Sequence, residues 1–206
     1  MSALLIKAKQ KLLEEARRRF ESYKNDGSGP IATLSPSPVG LIDAFIDNIE
    51  LDQNSIVIEL GCGDARWMHA ISRRFKCACV LGIEIDERRL LDGRKESGEY
   101  VMGDFFSCIN LSMATHIIFY LSVEGNKRVY EKVLTECTAC TSGNDGSNAV
   151  VLVAVGFQVI GLKPVSIHKA SGLVVYKYIL SGQNEDKEEN TCIDIQIGTQ
   201  KGTTGI

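Results

Sequence analysis

Three carboxylates and two glycines set the chemistry available to this chain. Glu59, Gly61, Gly63 and Asp64 fall within Val57-Ile58-Glu59-Leu60-Gly61-Cys62-Gly63-Asp64-Ala65-Arg66-Trp67, and Glu84 follows in Cys79-Val80-Leu81-Gly82-Ile83-Glu84-Ile85-Asp86. The glycines let a backbone turn approach a ligand closely, because a side chain at Gly61 or Gly63 would fill that space or forbid the turn's dihedrals. Glu84 lies roughly 20 residues further on, where a carboxylate ending a second strand accepts hydrogen bonds from both ribose hydroxyls. Glu59, Asp64 and Glu84 around one pocket favour a ligand bearing hydroxyls and positive charge. A dinucleotide fits less well. Its pyrophosphate belongs at the first helix N-terminus, where a third glycine normally keeps helix and strand close, and here that position is Arg66, with anionic Asp64 beside it.

Such residues need a strand, a turn, a helix and a second strand to hold them. Ser55 to Leu60 reads as the first strand, Ala65 to Phe75 as a helix, and Ala78 to Ile85 as the second strand. Asp86 is placed to cap a helix from Glu87 to Lys95. A third strand at Tyr100-Val101-Met102 leads into Gly103-Asp104-Phe105-Phe106, where Asp104 also reads as a turn residue capping the next segment. Thr115 to Leu121 is a nearly all-apolar fourth strand and Glu124 to Leu134 the helix after it. Ala149 to Val155 is the fifth strand, and Lys163 to His168 and Gly172 to Leu180 form a closing hairpin around Lys169-Ala170-Ser171. Upstream, Ser37 serves as N-cap and Pro38 as first residue of a helix running through Leu41, Ala44, Phe45 and Ile49. The expected fold is α/β: a doubly wound, mostly parallel seven-stranded sheet with a terminal antiparallel hairpin and an N-terminal helical extension.

The run Ser35-Pro36-Ser37-Pro38, then ELGCGDARW, GIEIDERRL, GDFFS and FYLSVEGNKRVYEKVL, resembles the class I, seven-β-strand S-adenosylmethionine-dependent methyltransferases. Within that superfamily it is similar to the small lysine methyltransferases that modify the ATP-synthase c subunit and the adenine nucleotide translocase. The resemblance spans about Ser35 to Leu180. It implies S-adenosylmethionine as cofactor, a ligand whose sulfonium, ammonium and ribose match the acidic pocket. It also implies roles: Ser35 or Ser37 near the methionine end, and Asp104 accepting from the adenine amino group while Phe105 covers the ring; Ile85, beside Glu84, is a further cofactor-binding candidate. Relatives usually have glycine at the position of Ala65 and often proline at that of Val123, and many carry a membrane-anchoring segment not seen here.

Tyr120, at the end of the fourth strand, is the candidate catalytic residue, orienting an amine through its hydroxyl or a cation–π contact; it reads equally as a core aromatic. Methyl transfer from a sulfonium is an in-line displacement and requires alignment and exclusion of water more than a dedicated base. A lysine acceptor must lose its proton, which burial beside a sulfonium favours. No Asn/Asp-Pro-Pro-aromatic tetrad is present, which disfavours methylation of planar amide or base nitrogens. The expected substrate, as the resemblance implies, is a protein lysine. The alternatives are a catalytically silent cofactor-binding module, a methyltransferase acting on a small molecule or RNA, and an NAD-dependent oxidoreductase.

The remaining sequence bounds this reading. The chain has 206 residues, 44% hydrophobic and 24% charged, which suits one domain with a substantial core. A net charge of −3 argues against general affinity for nucleic acid. Seven scattered cysteines without a secretory signal point to a reducing compartment. Cys77, Cys79, Cys137 and Cys140 admit a four-thiolate zinc reading, but small semi-buried residues explain them as well. His69, His116 and His168 lack metal-ligand spacing, and no metal is expected. The longest apolar run, Ala149 to Leu162, is too short to span a bilayer. Glu14 and Glu15 are unusual for a mitochondrial presequence, so the expectation is a cytoplasmic protein, with a mitochondrial one as the alternative. The chain divides into residues 1–34 (an amphipathic helix, Ala3 to Tyr23, and linker), 35–181 (the catalytic domain) and 182–206 (a polar tail).

Overall fold

A computed structural model of the chain describes residues 35–75, 79–93, 99–137 and 149–181, together with Lys7, Gln10, Lys11 and Glu14. Those four are helical and exposed, as the polar face of the expected N-terminal helix requires. The rest of that helix, the tail after residue 181, Cys77 and Cys140 lie outside the described residues.

The apolar runs at 56–60, 79–84, 116–119 and 150–155 become strands buried along almost their whole length, as the inner strands of a parallel sheet are. In chain order the elements are α1 (Val39–Phe45), a 3₁₀ turn (Ile46–Asn48), β1 (Ile56–Leu60), α2 (Arg66–Arg74), β2 (Cys79–Glu84), α3 (Glu87–Gly93), β3 (Glu99–Met102), α4 (Phe105–Cys108), β4 (His116–Phe119), α5 (Val123–Glu136), β5 (Val150–Val155), β6 (Ser166–Ala170) and β7 (Leu173–Leu180). The strands form one sheet in the order β3-β2-β1-β4-β5-β7-β6. β1 to β5 are parallel, while β7 runs antiparallel to both β5 and β6. The expected architecture is thus present, and its closing hairpin turns at Ser171 (φ 52°) and Gly172 (φ 77°). Two successive left-handed residues make a tight two-residue turn that matches strand twist, so the turn begins two residues later than the sequence suggested and is one residue shorter.

Alternate residues of β1 face opposite layers. Ile56, Ile58 and Leu60 join the core beneath α4 and α5, with Ile117, Phe119, Val129 and Val133. Val57 joins the other core, with Leu41, Ile42, Phe45, Trp67, Met68 and Ile71 of α1 and α2. That alternation places Glu59 on the α2 side, where its Oε2 accepts the Met68 backbone N–H at 3.3 Å. Helix α2 comes this close because β2 carries Gly82 at the contact. A Cβ there would overlap Met68 Sδ and lie 2.7 Å from Cys62 Sγ. The close helix–strand approach assigned to a third turn glycine is therefore supplied from the neighbouring strand.

The chain leaves β1 toward β2 on one side, while β4, its other neighbour, leads to β5. The carboxyl ends of β1 and β4 thus flank the switch point of the sheet, where a crevice opens.

Candidate active site

The site begins with the turn after β1. Gly61 (φ 71°), Gly63 (φ 54°) and Ala65 (φ 61°) are all left-handed. At the first two, glycine removes the steric objection; Ala65 bears the same conformation with a Cβ, which explains why glycine suits that position better. The turn stays attached to β2 through Gly61 N–H and Cys62 N–H, which donate to the Ile83 carbonyl at 2.9 and 3.0 Å.

Glu84 locks the arrangement. It is 7% exposed. Its Oε2 accepts Gly63 N–H at 2.8 Å, and its Oε1 accepts Ile85 N–H and Asp86 N–H, both at 2.9 Å. A carboxylate has about four acceptor sites, so capacity remains for a ligand hydroxyl. Glu59, also buried, has only the bond from Met68. Burial pushes its carboxyl well above the usual carboxylate range, reinforced by Asp64 and Glu84.

The sequence candidates converge on one cleft of about 970 Å³, its open mouth included: Ser37, Glu59, Gly61, Gly63, Asp64, Glu84, Ile85, Asp104, Phe105 and Tyr120 all line it, as does Ser35. Asp104 and Phe105 stand at one end. Asp104 accepts Phe106 N–H at 3.0 Å and so caps α4, while still facing the cleft. The capping role read from the sequence is therefore met, on a side chain that also lines the cleft.

Ser37 requires a correction. It is not the N-cap of α1: Pro38 holds that place and no side chain caps the helix. The buried Ser37 Oγ instead accepts the Trp67 Nε1–H at 3.0 Å, and its carbonyl accepts from Arg66 Nη1 at 3.2 Å. Ser35 donates to the Tyr120 hydroxyl at 3.2 Å. The Ser35–Ser37 segment therefore spans the cleft wall from β4 to α2. The indole partner prevails because Trp67 is 2% exposed and its N–H needs an acceptor.

Asp64 also differs from expectation. It forms an ion pair with Arg66, Nε to Oδ2 2.7 Å, so its charge is largely matched within the turn. The repulsion of phosphates assigned to Asp64 is correspondingly weaker, and the buried acidity of the cleft comes from Glu59 and Glu84. Arg66, Trp67, Cys62, Leu121, Ile118 and Arg89 also line the cleft, and the sequence reading gave none of them a binding role. Arg66 was legible as a cation inside the glycine motif; Ile118 and Leu121 followed from the strand pattern. Cys62 is no nucleophile, because burial and the nearby carboxylates push its thiol well up.

The histidines lie elsewhere. His69 Nε2 is 2.6 Å from the Tyr100 hydroxyl, His116 starts β4, and His168 packs edge-on against Phe45 with ring centroids 4.9 Å apart. Among the described residues no cluster of His, Cys, Asp or Glu could hold a metal ion, and no helix is long and apolar enough to cross a membrane. Cys79 and Cys137 are buried in the apolar core, where the Cys137 thiol donates to the Leu111 carbonyl at 3.3 Å.

No protein-family model matches the chain. A protein-lysine N-methyltransferase from Saccharolobus islandicus is 24% identical over 163 residues, covering 73% of this chain and 95% of the relative. Among solved structures, an RNA methyltransferase from Salinibacter ruber in complex with S-adenosyl-L-homocysteine superposes with TM-score 0.63 at 23% identity, covering 75% of this chain and 98% of that one. A SAM-dependent methyltransferase from Aquifex aeolicus gives TM-score 0.52 at 8% identity, covering 69% and 90%. The chain thus has the fold of the class I S-adenosylmethionine-dependent methyltransferases.

Proposed function

We propose that the protein binds S-adenosylmethionine in this cleft and transfers its methyl group to a protein lysine. The observation that carries the cofactor is Glu84, which bridges the end of β2 and Gly63 while keeping acceptor capacity toward the cleft. Glu59 supports it: a buried carboxyl with one weak backbone partner gains from a cationic ligand alongside. When bound, S-adenosylmethionine supplies an electrophilic methyl on a sulfonium. The chain's part is to fix the nucleoside through Glu84 and Asp104, cover it with Phe105, and exclude water beneath Ser35–Ser37.

The lysine assignment rests on three supports: the motif resemblance to small lysine methyltransferases, the lysine-specific name of the archaeal relative, and Tyr120 at the end of β4. Its ring gives a π face and its hydroxyl a polar tip, a pairing suited to orienting an amine.

Titration calorimetry with S-adenosylmethionine, S-adenosylhomocysteine and NAD tests the first half. Micromolar binding of the first two, lost in Glu84→Ala, supports the cofactor; no binding of either to folded protein rejects it. Transfer of labelled methyl into lysate proteins tests the second half. Label on lysine in a protease-sensitive, RNase-resistant product supports it, whereas RNase-sensitive label shifts the substrate to RNA. Cofactor binding without any label identifies a silent module.

A further inference from the structure

Resting on that cofactor reading, we propose that Arg66 anchors the α-carboxylate of the cofactor's amino-acid end and thereby selects ligands that carry one. The cleft has two distinct ends. Asp104 and Phe105 follow β3 on one side of β1, while Tyr120, with Ser35 bonded to it, follows β4 on the other side. Arg66 belongs to the second, since its Nη1 donates to the Ser37 carbonyl at 3.2 Å.

Cleft chemistry makes this cation necessary. Glu59, Asp64, Glu84, Asp86 and Asp104 all face the space. An ammonium or a sulfonium is welcome there, while an amino-acid carboxylate is repelled unless a cation receives it. Of the two arginines lining the cleft, each pairs with an aspartate, Arg89 with Asp86 beside the end of β2 and Arg66 with Asp64, so their positions set them apart. That leaves Arg66 at the Ser37 end.

Its geometry is ready for the task. A guanidinium offers five donors in a rigid fork. Asp64 engages Nε and the Ser37 carbonyl engages one N–H of Nη1, which fixes the plane and leaves three donors. The side chain is 38% exposed, so a ligand reaches it without opening the core. Because the fork is already held at two points, little rotamer freedom remains to be lost on binding. Asp64 thus acts as a positioning residue for Arg66.

Calorimetry with S-adenosylhomocysteine and its decarboxylated analogue, which keeps the nucleoside, thioether and amine, isolates the carboxylate. A charge-assisted contact corresponds to roughly 10- to 150-fold in affinity. Wild-type protein is expected to prefer S-adenosylhomocysteine by that factor. Arg66→Met should reduce its affinity to that of the analogue while leaving the analogue's own affinity nearly unchanged. Asp64→Asn/Arg66→Met, which removes the orphaned carboxylate, should show the same loss of preference. Should Arg66→Met unfold, Arg66→Lys provides the readout, with a partial loss of the ratio expected. Equal weakening of both ligands, or an unchanged ratio in every variant, overturns the proposal. Wild-type protein that binds neither ligand instead overturns the cofactor reading on which it rests.

Discussion

The Tyr120 ring occupies the space where a side chain on Gly156 would begin: a Cβ at that glycine would lie 2.6 Å from Tyr120 Cε2. Gly156 follows β5 with φ 80°, so conformation and space both demand glycine. The close backbone at Gly156 and the Ser35 hydroxyl, which donates to the Tyr120 hydroxyl at 3.2 Å, together hold the ring in the cleft lining. Gly156→Ala is expected to cost about 1–3 kcal/mol by chemical denaturation and to lower methyl transfer with little change in S-adenosylhomocysteine affinity. Tyr120→Phe keeps the ring and should cost less than about 1 kcal/mol, so a much larger fall in kcat than in stability would assign the hydroxyl to the acceptor.

Glu84 is the connection between strand and turn. Glu84→Ala leaves three backbone N–H groups without their acceptor, an expected loss of about 2–4 kcal/mol. Glu84→Gln retains one acceptor oxygen and should fold more stably than Glu84→Ala, yet bind S-adenosylhomocysteine roughly 10- to 100-fold more weakly than wild type. Equal affinity in Glu84→Gln and wild type would remove the ribose contact from the account.

Glu59 opposes stability at neutral pH. Its carboxyl titrates well above the unfolded value of 4.5 because it is buried, so the folded state holds a proton that the unfolded chain has lost. The associated stability is full below about pH 4.5 and is lost as pH rises toward the folded value. Glu59→Gln should flatten that decline and stabilise the free protein by about 0.5–2 kcal/mol at pH 7, while weakening S-adenosylmethionine binding. A cation brought beside Glu59 favours its ionised form. The binding enthalpy should therefore vary with buffer ionisation enthalpy, and Glu59→Gln should abolish most of that dependence.

His116 gives the opposite pH dependence. Burial, then the Lys177 ammonium, holds its imidazole at about 4 instead of 6.5, against the pull of the Ile49 carbonyl, Asp52 and Glu50. Lys177 is itself buried and pairs with Glu50 at 2.7 Å. Between those values the unfolded chain binds more protons, so stability present above pH 6.5 is lost as pH falls toward 4. The effect is at most on the order of 3 kcal/mol. Thermal melts from pH 7 to pH 4 should show a shallower decline in His116→Gln than in wild type.

Gly82 is where α2 meets the sheet. Gly82→Ala drives a methyl into Met68 and Cys62, with an expected cost of about 1–3 kcal/mol. Met68→Ala should recover part of it by opening space. Additive losses in the double variant would place the strain elsewhere.

Much of this protein is legible in local sequence. Apolar runs of strand length, the glycines at 61 and 63, and the separation of Glu84 from them fix the sheet and the turn, because strand burial and left-handed backbone are properties of short segments. The cleft candidates could be named for the same reason: in a parallel sheet, residues following the strands emerge at one edge. Tertiary structure decided the partners. Ser37 looked like a helix cap and became the acceptor of Trp67, 30 positions away. Asp64 looked free and was matched by Arg66, whose guanidinium also reaches back to Ser37. The glycine that brings α2 close lay in β2 and not in the turn. A side chain with several available hydrogen bonds selects among them by what folding places nearby and by which alternatives would be buried unsatisfied, and that choice depends on residues remote in the chain.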